Sequence, residues 1–142
     1  MGVQLKQLGD SSMGLEGTDL NTGSFIYVNI PYNTTSALTL SGAIVPRKCV
    51  VQAITVNPDV ASTNAVTVSA FGAASGTALG AGTALTSAGA ALNGTAGTNV
   101  VGALSAVSGA LLVAAGSRVG VVISGALGAA GSGVITIALN PA

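Results

Sequence analysis

Residues 49–71 read CVVQAITVNPDVASTNAVTVSAF, and this stretch decides the fold. Along its second half Val66, Val68 and Ala70 fall on one side, while Thr67, Ser69 and Phe71 fall on the other. That is the period of two required of a strand with one face buried and one wet. The first half, Cys49 to Asn57, is a β-branched run that stops at Pro58-Asp59. Two such runs separated by a polar loop, Pro58 to Asn64, predict a hairpin.

Working outward, the same texture continues on both sides. Upstream, Ser24 to Ile30 reads as a strand closed by Pro31, and Ser36 to Val45 as one or two strands broken near Ser41-Gly42 and closed by Pro46. Downstream, residues 72–97 are dense in Gly, Ala and Thr, with short strands at Leu79 and Thr83 to Thr86 and a type I′ turn candidate at Asn93-Gly94. Strands follow at Val100 to Leu104, Ala110 to Ala114, Ser117 to Ser124 and Gly133 to Leu139, the last pairing most simply with its predecessor. About eight short strands without a helix predict an all-β fold, a single β-sandwich of jelly-roll form spanning residues 24–142. Residues 1–23 lack either period and end in the turn signal Asn21-Thr22-Gly23, which marks an extended N-terminal arm.

Charge is scarce: the 142 residues hold 4 Lys plus Arg, 4 Asp plus Glu and no His, with net charge zero. An average domain of this length carries roughly 36 charged residues. No net field therefore draws the chain to nucleic acid, anionic lipid or a charged substrate. Over a third of the 49% hydrophobic fraction is alanine, so bulky core side chains are few. A surface this poor in charge is poorly solvated, which implies that companion subunits cover part of it.

Catalysis has little to work with. Without His there is no Ser-His-Asp or Cys-His arrangement. Of the four carboxylates, Asp10, Glu16 and Asp19 sit on the arm, apart from Asp59, and their spacing matches no calcium loop. The glycine-rich stretches, Gly80-Ala81-Gly82 and residues 125–131, lack a Gly-Lys-Ser/Thr step and read as turns. Cys49, the single cysteine, opens an apolar strand and reads as a small buried hydrophobe. No catalytic residue, metal site, cofactor or small-molecule substrate is expected.

Thr98 to Ser117 is a charge-free stretch of 20 residues, and mean hydropathy is +0.74. Length alone would allow a membrane span. Its Gly/Ala/Ser content and the lack of flanking aromatic or basic residues argue for strands instead. The first residues lack the layout of a signal peptide, so synthesis in the cytoplasm is expected.

The layout resembles the small capsid decoration, or cement, proteins of tailed bacteriophages. The likeness comprises the polar arm, a strand ending Val28-Asn29-Ile30-Pro31, an alternating hairpin near Ala53 to Phe71, the Gly/Ala/Thr-rich middle, and the close from Val134 to Pro141. The resemblance implies a jelly-roll or related sandwich, assembly as a homotrimer, and attachment to the major capsid protein on the outside of a phage head. Such proteins have no catalytic residues. The expected capsid contacts are the arm, with Lys6, Asp10, Glu16 and Asp19, and the basic pair Arg47-Lys48. The competing readings are another virion β-protein (a small shell subunit, or a tail or fibre component) and, from a different class, a Gly/Ala-rich membrane protein.

Overall fold

A computed structural model describes residues 25–142. In chain order the strands are β1 (Ile26–Thr34), β2 (Leu38–Ile44), β3 (Cys49–Val60), β4 (Thr67–Ala73), β5 (Thr83–Ala84), β6 (Thr86–Ala88), β7 (Ala90–Ala91), β8 (Val100–Val101), β9 (Ala103–Leu104), β10 (Leu112–Val113), β11 (Arg118–Ile123) and β12 (Gly131–Pro141). A single 3₁₀ turn, Leu79–Ala81, interrupts them.

The pairing follows a simple rule. The first half of the chain pairs with the second half in reverse order: β1 with β12, β2 with β11, β3 with β8 and β10, β4 with β5 and β7. This is one long antiparallel ribbon folded at residues 74–82. The ribbon then rolls up, so that β12 also pairs with β3 and β11 also pairs with β4. Two five-stranded sheets result, ordered β1-β12-β3-β10 with β8 also on β3, and β2-β11-β4-β5 with β7 also on β4. Counting the short edge pieces together, that order is the jelly roll.

The sheets bury their alternate residues against one another. In β12, Ile135, Ile137 and Leu139 are buried, and they meet Ile54 and Val56 of β3 and Val28 and Ile30 of β1 in the core. The facing sheet supplies Val68 and Ala70 from β4 and Val119, Val121 and Ile123 from β11. The sequence alternation from Ala65 to Phe71 therefore marks the core face as predicted. Where the sheets come close at β2, a side chain at Gly42 would lie 2.6 Å from Val28 Cγ1 and 2.8 Å from Ile30 Cδ1. Gly42 is the unpaired residue of a bulge between Ser41 and Ala43, so the break read near Ser41-Gly42 is a kink within one strand.

Several sequence expectations are corrected. β3 and β4 form no hairpin: they lie in opposite sheets, and the loop between them crosses the sandwich. β12 does not pair with β11, because the rolled ribbon separates them into different sheets. Pro31 does not close β1; it lies inside this edge strand, where a missing N–H is tolerated. Pro58 does not end β3 either. It pairs with Gly133 while Val60 pairs with Ser132, so a bulge at Asp59 carries the strand past it. Gly94 is not among the positive-φ glycines, which excludes a type I′ turn at Asn93-Gly94. Residues 98–117 form short strands and turns, and among the described residues no helix is long and apolar enough to cross a membrane.

Candidate interaction site

The turn at residues 45–48, which carries Arg47 and Lys48, links β2 to β3 across one end of the sandwich. Val45 donates to the Ser117 carbonyl at 2.9 Å and accepts from Gly116 at 2.8 Å, and the Lys48 carbonyl accepts from Ala142 at 2.9 Å. Both basic side chains are thereby held out into solvent on an anchored turn. Arg47 and Lys48, expected from the sequence as capsid contacts, are both exposed.

Strand pairing brings a third cation to the same end. Arg118 opens β11 opposite Ile44, the last residue of β2. Its guanidinium donates to Ser41 Oγ at 3.3 Å and to the Thr77 carbonyl, which fixes the head of a half-buried side chain. Asp59, the remaining described charge, lies at the far end of β3. A strand rises about 3.3 Å per residue, so the ten steps from Cys49 to Asp59 place it roughly 33 Å from the start of β3. The described residues therefore carry three cations at one end and one anion at the other. Ile44 (67% exposed) and Leu112 (48% exposed) add apolar surface to the basic end.

Cys49 begins β3 beneath this turn and is fully buried, its Sγ donating to the Arg47 carbonyl at 3.1 Å. Burial pushes its thiol pKa up, against the opposing pull of Arg47. It is a packed hydrophobe, as read from the sequence. Tyr32 is similar: burial, with a smaller contribution from Asp59, raises its phenol. Among the described residues no three potential metal ligands come together.

The outer face of the β1-β12-β3 sheet forms a second feature, which the sequence did not suggest. Tyr27, Ala138 and Ala53 stand in one row across the strands, and Asn29, Thr136, Thr55 and Val101 in the next. The small floor leaves a trough of about 520 Å³. Phe25 and Tyr27 wall one side, their rings 6.0 Å apart and tilted by 40°. Gln52, Asn57 and Asn99 also line it. Gln52 is the extra residue of a bulge between Val51 and Ala53, which brings two successive side chains toward the outer face.

The arm residues Lys6, Asp10, Glu16 and Asp19, expected as capsid contacts, lie outside the described residues. Sequence reasoning missed Arg118, whose signal was its isolation as the last charge in the chain, and the trough, whose residues come from segments up to 113 positions apart in the register of β1, β3 and β12. No protein-family model, curated protein or solved structure matches this chain.

Proposed function

We propose that this protein is a capsid decoration protein, a homotrimer that attaches to the outer surface of a tailed-phage head and holds neighbouring major capsid subunits together. The observation that carries the reading is the surface chemistry. Among the described residues only Arg47, Lys48, Asp59 and Arg118 are charged, whereas nine large apolar residues are exposed. Such a surface desolvates readily over a wide area, because few ions have to lose their water. The jelly roll suits it, since one edge of each sheet carries only two-residue strands and Pro31 removes a donor from the long edge strand β1, which limits the unpaired backbone that could direct non-specific sheet growth.

On this reading the basic end, with Arg47, Lys48 and Arg118 beside Ile44 and Leu112, meets an acidic patch on the shell. Residues 1–23 extend the contact to an adjacent capsid subunit, and the linkage of two weak sites multiplies their affinity. Binding the assembled shell in preference to free subunits then stabilises the shell by mass action.

Cosedimentation of the full chain with purified heads of the phage that encodes it tests the reading. Saturable binding is expected, weakened at least tenfold by the double substitution Arg47→Glu, Lys48→Glu and weakened also by removal of residues 1–23. Rising salt should reduce the basic-end contribution, because exposed charges are screened within about 8 Å at physiological ionic strength. Absence of binding by the unaltered chain would overturn the proposal; unchanged binding by the charge-reversed variant would remove the basic end from it.

A further inference from the structure

We propose that the trough on the outer face of the β1-β12-β3 sheet binds a neutral oligosaccharide. The inference rests on three features of its lining and does not depend on the capsid reading.

The first feature is a wall of exposed rings. Tyr27, on β1, is 61% exposed, and Phe25, just before that strand, is 44% exposed. A sugar ring has one face made largely of C–H groups, and an aromatic side chain offers flat apolar area at low conformational cost. The second feature is the set of amides. Asn57 Nδ2 donates to Asn99 Oδ1 at 2.6 Å and to the Gly97 carbonyl at 3.4 Å. These bonds tie the two carboxamides together and leave the Asn57 Oδ1 and the Asn99 Nδ2 without a hydrogen-bond partner among the described residues, on two side chains that line the groove. A fixed acceptor beside a fixed donor matches a sugar hydroxyl, which does both. Thr136, on the floor, is oriented likewise, its Oγ1 donating to Asn29 Oδ1 at 2.9 Å.

The third feature is charge. No lining residue is ionisable near neutral pH, and the described cations stand at the end of the sandwich rather than on this face. A phosphate, carboxylate or sulfate group would find no counter-charge here, so the fitting ligand is an uncharged polyol. The volume of about 520 Å³ lies within the usual span of small-ligand sites, roughly 300–1,000 Å³, and the lining runs along β3 from Ala53 to Asn57, about 13 Å of strand, which suits a chain of sugars better than a single one.

Isothermal titration of the full chain with maltohexaose, cellohexaose, laminarihexaose, mannohexaose and chitohexaose tests this, with hexagalacturonate as the charged comparison. Saturable binding to at least one neutral hexasaccharide is expected, at least tenfold tighter than to hexagalacturonate. Tyr27→Ala should weaken it at least tenfold and Asn99→Ala at least fivefold, while Ile44→Ala, at the basic end, leaves it unchanged. Tyr27 is mostly solvent-exposed, so its replacement leaves the core intact, which a thermal unfolding curve verifies. Three results would overturn the proposal: no binding to any neutral hexasaccharide, binding indifferent to Tyr27→Ala, or a Tyr27→Ala variant whose oligomeric mass changes, which would make the face a contact between copies of this chain.

Discussion

Replacing Gly133 by alanine inserts a methyl group between three strands. The added Cβ would overlap the Asn57 carbonyl oxygen and lie 2.7 Å from Pro58 Cα and 3.0 Å from Tyr32 Oη. Two of these neighbours are backbone of β3, which β12 holds by a ladder from Cys49 to Val60, so they cannot swing away as a side-chain tip would. Overpacking of this kind costs about 1–3 kcal/mol. The loss of backbone freedom in the unfolded chain returns about 0.4–1 kcal/mol, leaving a net destabilisation of about 1.3 kcal/mol at the middle of both ranges. An unfolding entropy of about 2.1 cal/mol/K per residue over residues 25–142 makes each kcal/mol worth roughly 4 °C, so Tm should fall by about 5 °C. The comparison variant is Gly80→Ala, whose Cβ meets only Val122 Cγ2 at 3.7 Å; it should match the parent or exceed it slightly. Urea and thermal unfolding followed by circular dichroism measure both. A Gly133→Ala protein as stable as Gly80→Ala would refute the placement of β12 against β3, and with it the strand order.

Three further outcomes follow from the same geometry. Ile137→Ala, which empties a fully buried site between Val28 and Ile54, should cost about 3–4 kcal/mol in urea unfolding, whereas Val134→Ala on the outer face should cost less than about 1. Arg118→Ala, which releases Ser41 and the Thr77 carbonyl, should cost about 1 kcal/mol and make the segment around residue 77 exchange its amides faster by mass spectrometry. Stability should be flat through neutral pH and decline on the alkaline side. Cys49 and Tyr32 have raised pKa values in the fold, so the unfolded chain loses these protons first. The decline should begin near pH 8.5 and steepen above about pH 10, where unfolded thiol and phenol ionise, and Cys49→Ser with Tyr32→Phe should flatten it.

The parts of the fold legible in the sequence were those governed by local periodicity. Val66, Val68 and Ala70 announced a core face because alternation is a property of one strand alone. Strand partners were not legible, since the nearest neighbour in sequence is a poor guide once a ribbon rolls: β11 and β12 are consecutive yet lie in opposite sheets. Prolines misled for a related reason. Pro31 and Pro58 look like terminators, but an edge position and a bulge accommodate them, and both depend on distant partners at Val134 and Gly133. Of the basic end, Arg47-Lys48 could be read directly, whereas Arg118 joins it only through the pairing of β11 with β2. The trough was invisible because its aromatic wall, its small floor and its amides come from separate segments, none of them unusual alone.

The proposed sharing of a charge-poor exterior with copies of this chain and with a larger shell is open to light scattering coupled to size exclusion, on the full chain at micromolar concentration. A single species of about three times the 13.4 kDa chain mass is expected; a stable, soluble species at the mass of one chain would overturn the proposal.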